Sequence, residues 1–131
     1  MTGNKYGAKK IKDPATGFVF DSKAEFVRWC ELRILERAGK ISDLQRQVTF
    51  EIIPTQREES TEVYKAGPQK GLPKPGAIIE KAVHYVADFT YYQDGEYIVE
   101  DTKGYKKGAA YQLFSIKRKL MLLKGIRIKE T

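Results

Sequence analysis

Three charged residues, Asp88, Asp101 and Lys103, are spaced so that one tight turn would bring them together. The turn is Asp94-Gly95, a dipeptide suited to a type I′ hairpin because both central positions need positive φ. Its flanking arms are rich in Tyr, Phe, Val, Ile and Thr, side chains that fit a pleated surface. With Asp94-Gly95 as a two-residue loop, Gln93 pairs with Glu96 and Asp88 falls opposite Asp101. Opposite side chains share a face, with Cβ atoms about 4.5–5.5 Å apart. Lys103, two residues beyond Asp101, shares that face as well. A three-residue loop would slip the register by one and put the aspartates on opposite faces.

Opposed carboxylates repel unless a shared proton, the lysine or a bound cation compensates. Two aspartates converging on one point suit a hard divalent cation such as Mg²⁺, which takes oxygen ligands. The structural alternative is a simple cross-strand ion pair of Lys103 with one aspartate. Glu25 is a third candidate acid. Ser22-Lys-Ala-Glu25 has the capping-box pattern, so a helix starts near Ser22 and runs to Gly39. Glu25 shares a helix face with Trp29 and Leu32, and the capping box and a place beside the aspartates are compatible reasons for it. The many apolar residues between Phe26 and Leu35 predict a helix buried over much of its circumference.

The remaining elements follow from local pattern. Asp13-Pro-Ala-Thr-Gly17 is a turn cluster between Lys9–Lys12 and Phe18–Phe20, predicting a short hairpin. Alternation predicts a strand over about 47–53, ended by Pro54. Residues 55–80 are Pro- and Gly-rich and read as a long mobile loop with room for a short hairpin of its own. Its lysines and arginine suggest a segment that closes over a polyanion or meets a second subunit, against the plainer reading of an inert insertion. Tyr111–Lys124 predicts a second helix with Leu113, Ile116, Leu120 and Leu123 as its apolar face, stopped by Gly125 and followed by a last strand over 126–129. The order helix, strand, strand, strand, helix, strand implies an α/β fold with a mixed sheet and helices against it, in a single domain over residues 1–131.

The chain has 131 residues and a net charge of +7, unevenly placed. Lys103–Thr131 holds nine Lys or Arg and one acid, and the arm over residues 1–10 is basic and loose. A polyanion, most commonly nucleic acid, is the natural partner. No apolar run approaches the length of a membrane span and the first residues lack the apolar core of a signal peptide. A single Cys30 fits a reducing cytoplasm and reads as a core residue, and one His with one Cys excludes a zinc finger. Paired carboxylates also mark retaining glycosidases, but a strongly basic chain suits a carbohydrate poorly.

The pattern FDSKAEFVRWCELRILERAGKISDLQRQVTFEI…YVADFTY…YIVEDTKGY resembles one branch of the PD-(D/E)xK nuclease superfamily. That branch comprises small bacteriophage proteins of uncharacterised function, distantly similar to Holliday-junction resolvases. The resemblance implies a restriction-endonuclease-like αβββαβ core and a metal-dependent DNA endonuclease selective for branched structure, working in the cytoplasm of a bacterial host. It implies Glu25, Asp88, Asp101 and Lys103 as catalytic residues, the three acids as ligands of Mg²⁺ or Mn²⁺, and Gln47 as a nucleic-acid contact near the site, against the plainer reading of a simple strand residue. Ala87 stands where the motif names a proline, and Asp101 where glutamate is commoner. Lys106, Lys107, Lys117, Arg118 and Lys119, in the basic turn and second helix, are the expected contacts to the DNA backbone. A homodimer fits junction cleavage, and a non-catalytic DNA-binding protein of the same fold is the alternative.

Overall fold

The computed structural model describes residues 10–104 and 106–131. The basic arm, Lys10 excepted, and Tyr105 lie outside the described residues. The chain divides into two compact units. One holds the chain up to Thr49 together with Val86–Thr131, and the other is Phe50–Tyr85.

In the first unit, β1 (Ile11–Lys12) and β2 (Val19–Phe20) form the expected antiparallel hairpin. Asp13 organises its turn: its carboxylate accepts from Thr16 Oγ1 at 2.7 Å and from Ala15 N at 3.1 Å. Trp29 Nε1 donates to the same carboxylate at 3.2 Å, which ties the turn to the first helix.

That helix, α1 (Lys23–Arg37), starts where the capping box predicts, with Glu25 N donating to Ser22 Oγ at 3.1 Å. Gly39 follows it with φ of 76°, the left-handed conformation a helix stop needs. The helix is less enclosed than its composition predicts. Trp29 and Leu32 are buried, whereas Val27 and Ile34 stand exposed. A helix on one sheet buries one stripe, and apolar residues off that stripe stay in water.

The main sheet has the order β3 (Ser42–Ile53), β6 (Val83–Gln93), β7 (Glu96–Asp101), β8 (Ile128–Glu130). β6 and β7 are antiparallel and β7 and β8 parallel, so the sheet is mixed, as expected. β3 starts five residues before the predicted strand and contains two non-glycine residues with left-handed φ, Asp43 (52°) and Gln47 (57°). A kink of that kind inside an extended strand hides its period-2 pattern from sequence reading. Phe20, Trp29, Leu32, Ile41, Phe89 and Tyr91 make the core, with Phe26, Cys30, Leu35, Leu44 and Ile98 packed against it.

α2 (Ala109–Leu123) exists as predicted but with its faces exchanged. Phe114 and Met121 are buried, while Leu113, Ile116 and Leu123 are exposed and Leu120 is half-buried. Periodicity shows that a stripe exists. It does not distinguish two stripes on one helix, and the aromatic and the methionine fill the tertiary space here. Tyr111 Oη donates to Glu130 Oε1 at 2.8 Å, and Arg118 bonds both groups at 3.2 Å, locking α2 to β8.

In the second unit, the expected loop is a hydrogen-bonded hairpin extension. β4 (Gln56–Arg57) pairs with β5 (Ile78–Glu80), and Val63 bridges Pro73 further out. Glu58 N donates to Ala77 O, Lys74 N to Glu62 O and Gly71 N to Tyr64 O, each at 2.9 Å. Among the described residues no helix is long and apolar enough to cross a membrane.

Candidate metal and phosphodiester site

The β6–β7 register is the one Asp94-Gly95 predicts. Gln93 pairs with Glu96, and the rungs continue to Phe89 opposite Glu100. Asp94 and Gly95 have φ of 53° and 80°, the positive pair of a type I′ turn. Extending the ladder by one residue puts Asp88 opposite Asp101. There the backbone rung gives way to a side chain: Thr102 N donates to Asp88 Oδ2 at 2.8 Å. On the other edge, Asp101 pairs with Glu130 of β8, and Thr131 N donates to Asp101 O at 2.9 Å.

Alternation sorts the side chains. Phe89, Tyr91 and Ile98 point into the α1 core and Glu100 goes with them, so Asp88 and Asp101 belong to the other face. Lys103 joins Asp101, its Nζ 2.8 Å from Asp101 Oδ1. The ammonium also lies 4.1 Å from the centre of the Phe114 ring of α2, a cation–π contact that orients it. Asp101 is 3% exposed, whereas the Lys103 side chain is 27% exposed, so the acid is buried and the ammonium is half-buried.

Glu25 reaches this cluster from the first turn of α1. Its carboxyl is close enough to Asp88 and to the Asp21 backbone for both to favour its charged form. Burial raises the Asp88 carboxyl, the Asp101 charge raises it further, and it reaches about 8. Burial also raises Glu25, opposed by its closeness to Asp88. Asp88, read from the sequence in one constellation with Glu25, Asp101 and Lys103, therefore lies within electrostatic reach of all three.

The donor chemistry fits Mg²⁺ or Mn²⁺: hard carboxylate oxygens, with three acids crowding one ammonium. Among the described residues no three acids, His or Cys form a ready-made metal cage. Mg²⁺ is commonly held by one or two carboxylates, completed by water and substrate phosphate, so a cage is not required. Lys103 occupies the cationic role beside Asp101, and a metal at the aspartates would share or displace that contact.

A network behind the site was not legible as a site in the sequence. Glu100 is fully buried, and Arg28 Nε and Nη2 grip it at 2.7 and 2.8 Å. Tyr91 Oη donates to it at 2.8 Å, and burial helps push the Tyr91 hydroxyl up to about 12. The hairpin register offered the one signal: it places Glu100 on the face of Phe89 and Tyr91, where an acid must have a partner. An open cleft of about 470 Å³ runs between α1 and the end of β7, lined by Lys23, Ala24, Val27, Arg28, Thr102 and Lys103 among others.

The other candidates are distributed differently. Lys106, Lys107 and Lys119 are exposed and Lys117 is half-buried. Arg118 bonds Glu130 and Tyr111 and so anchors α2 to β8. Gln47 is exposed at the kink in β3.

A family model described as "Protein of unknown function (DUF1064)" matches residues 3–131, so the chain belongs to that family. No curated protein and no solved structure matches it.

Proposed function

We propose that this DUF1064 protein is a metal-dependent deoxyribonuclease of the PD-(D/E)xK type, built on a restriction-endonuclease-like core. The observation that carries the reading is the Asp101–Lys103 ion pair, its acid buried, with Asp88 and Glu25 near it. The order α1, β3, β6, β7, α2, β8 supports the fold assignment.

Asp88 and Asp101 are the metal ligands in this reading, with Glu25 completing the set. A bound Mg²⁺ or Mn²⁺ would supply Lewis acidity towards a phosphate oxygen and acidify a water. The chain's own residues do the rest. Asp88, whose carboxyl burial raises to about 8, would release its proton to water when a metal binds there. Lys103, steered by the Phe114 ring, neutralises charge that develops on the phosphate. Lys106 and Lys107, three and four residues beyond Lys103, hold the DNA backbone without reading bases. Two copies would be needed to cut both strands of a branched DNA.

The test is a panel of labelled branched, nicked and linear DNAs with Mg²⁺, Mn²⁺ or chelator. Cleavage that requires metal and disappears in Asp88→Asn and Asp101→Asn, with DNA binding kept, supports the reading. DNA binding without cleavage by the parent makes it a binding protein of the same fold.

A further inference from the structure

The second helix carries two apolar faces. Phe114 and Met121, seven residues apart, are the buried one. Leu113, Ile116, Leu120 and Leu123 follow the 3-4-3 spacing of a coiled-coil seam. At 3.6 residues per turn this seam lies away from the Phe114 and Met121 side. Leu113 is 55% exposed, Ile116 56% and Leu123 85%. Exposed apolar residues in a contiguous row mark an interaction site, whereas scattered ones do not. The four residues span about 80° of the helix circumference, less than the ≳ 100° stripe of a helix laid on a core. That width matches one partner helix better than a flat surface.

The flanks choose the partner. Lys119 borders the seam on one side, Lys117 and Lys124 on the other, and α2 contains no acid. With Leu113 and Leu120 at a and Ile116 and Leu123 at d, these lysines fall at e and g, the positions that set coiled-coil pairing. In a parallel pair of α2 helices, Lys119 of each copy would face Lys124 of the other. In an antiparallel pair the flanking contacts are again Lys with Lys or Lys with Gln112. Like charges across the flanks oppose self-association and favour a partner of opposite sign.

We propose that the Leu113–Leu123 seam of α2 docks an acidic amphipathic helix of another protein, apolar at a and d and carrying Glu or Asp at e and g. This surface is separate from the acid cluster and does not rest on the nuclease reading.

The test uses the full chain and three synthetic peptides followed by fluorescence anisotropy: three heptads with Leu at a and d and Glu at e and g, the same with Lys at e and g, and a scrambled acidic peptide of the first composition. The Glu heptad peptide binds at least tenfold tighter than the other two. Ile116→Ser with Leu123→Ser weakens that binding at least tenfold and leaves the unfolding midpoint in place, since both side chains are exposed. Lys119→Glu with Lys124→Glu transfers the preference to the Lys peptide. Equal binding of the scrambled peptide overturns the proposal, because charge alone would then suffice. Self-association of the chain that the serine variant abolishes assigns the seam to a second copy and also overturns it. So does binding to phosphatidylserine–phosphatidylcholine vesicles that outcompetes the Glu peptide and is lost in the serine variant.

Discussion

The carboxylate of Asp88 accepts the backbone N–H of Thr102 at 2.8 Å, one residue past the last paired rung of the hairpin. A side chain thus does the work of a strand, and it holds the acid beside Asp101 and Glu25 when repulsion would drive it away. Crowding of this kind should be measurable as stability.

Asp88 has its folded pKa raised to about 8 from 3.8. Between those values the folded state keeps a proton that the unfolded chain has released, so stability falls as pH rises through that window. Metal-free protein should therefore be more stable at pH 5 than at pH 8, and Asp88→Asn should lose at least about 1.4 kcal/mol of that difference, one unit of the window. Urea unfolding in chelator at both pH values measures it. Identical pH dependence in parent and variant would show that the acid is not crowded.

A metal held by Asp101 would compete with Lys103. Lys103→Met should bind Mn²⁺ more tightly by calorimetry, because the ammonium 2.8 Å from Asp101 no longer has to be shared or displaced. If Lys103 also serves phosphodiester cleavage, the same variant should cut about 10²-fold more slowly, the scale of one lost electrostatic group. Tighter metal binding with undiminished cleavage would reduce Lys103 to an ion-pair partner.

Arg28 and Glu100 form a bidentate pair whose acid is fully buried. Arg28→Met strands that charge and should cost about 3–5 kcal/mol in denaturant unfolding. Arg28→Met with Glu100→Leu removes both charges and should recover much of the loss. A double variant as unstable as the single one would show that packing, and not the unpaired charge, sets the cost.

Gly76 is required in the hairpin extension for space. A Cβ there would lie 1.8 Å from the Glu58 carbonyl oxygen, so backbone must move. Gly76→Ala should cost about 1–3 kcal/mol, as overpacking does, and should speed amide exchange at Glu58, whose N–H donates to Ala77 O. Unchanged exchange at Glu58 would mean that the two strands can part without cost.

The sequence by itself determined the features that short-range stereochemistry decides. Asp94-Gly95 set the hairpin register because two adjacent positive φ values suit that dipeptide, and the register alone put Asp88 opposite Asp101. Ser22 and Glu25 set the start of α1 through one hydrogen bond inside a single turn. The tertiary structure decided what depends on which surfaces meet. It chose Phe114 and Met121 over the leucine seam as the inner face of α2, since both stripes are periodic and only the surrounding space selects one. It made Arg28 the partner of Glu100, 72 residues away, and spent Arg118 on Glu130. It also fixed which residues pair in the short hairpin for which residues 55–80 had room, because pairing between Glu58 and Ala77 or Glu62 and Lys74 joins residues whose separation leaves no periodic trace.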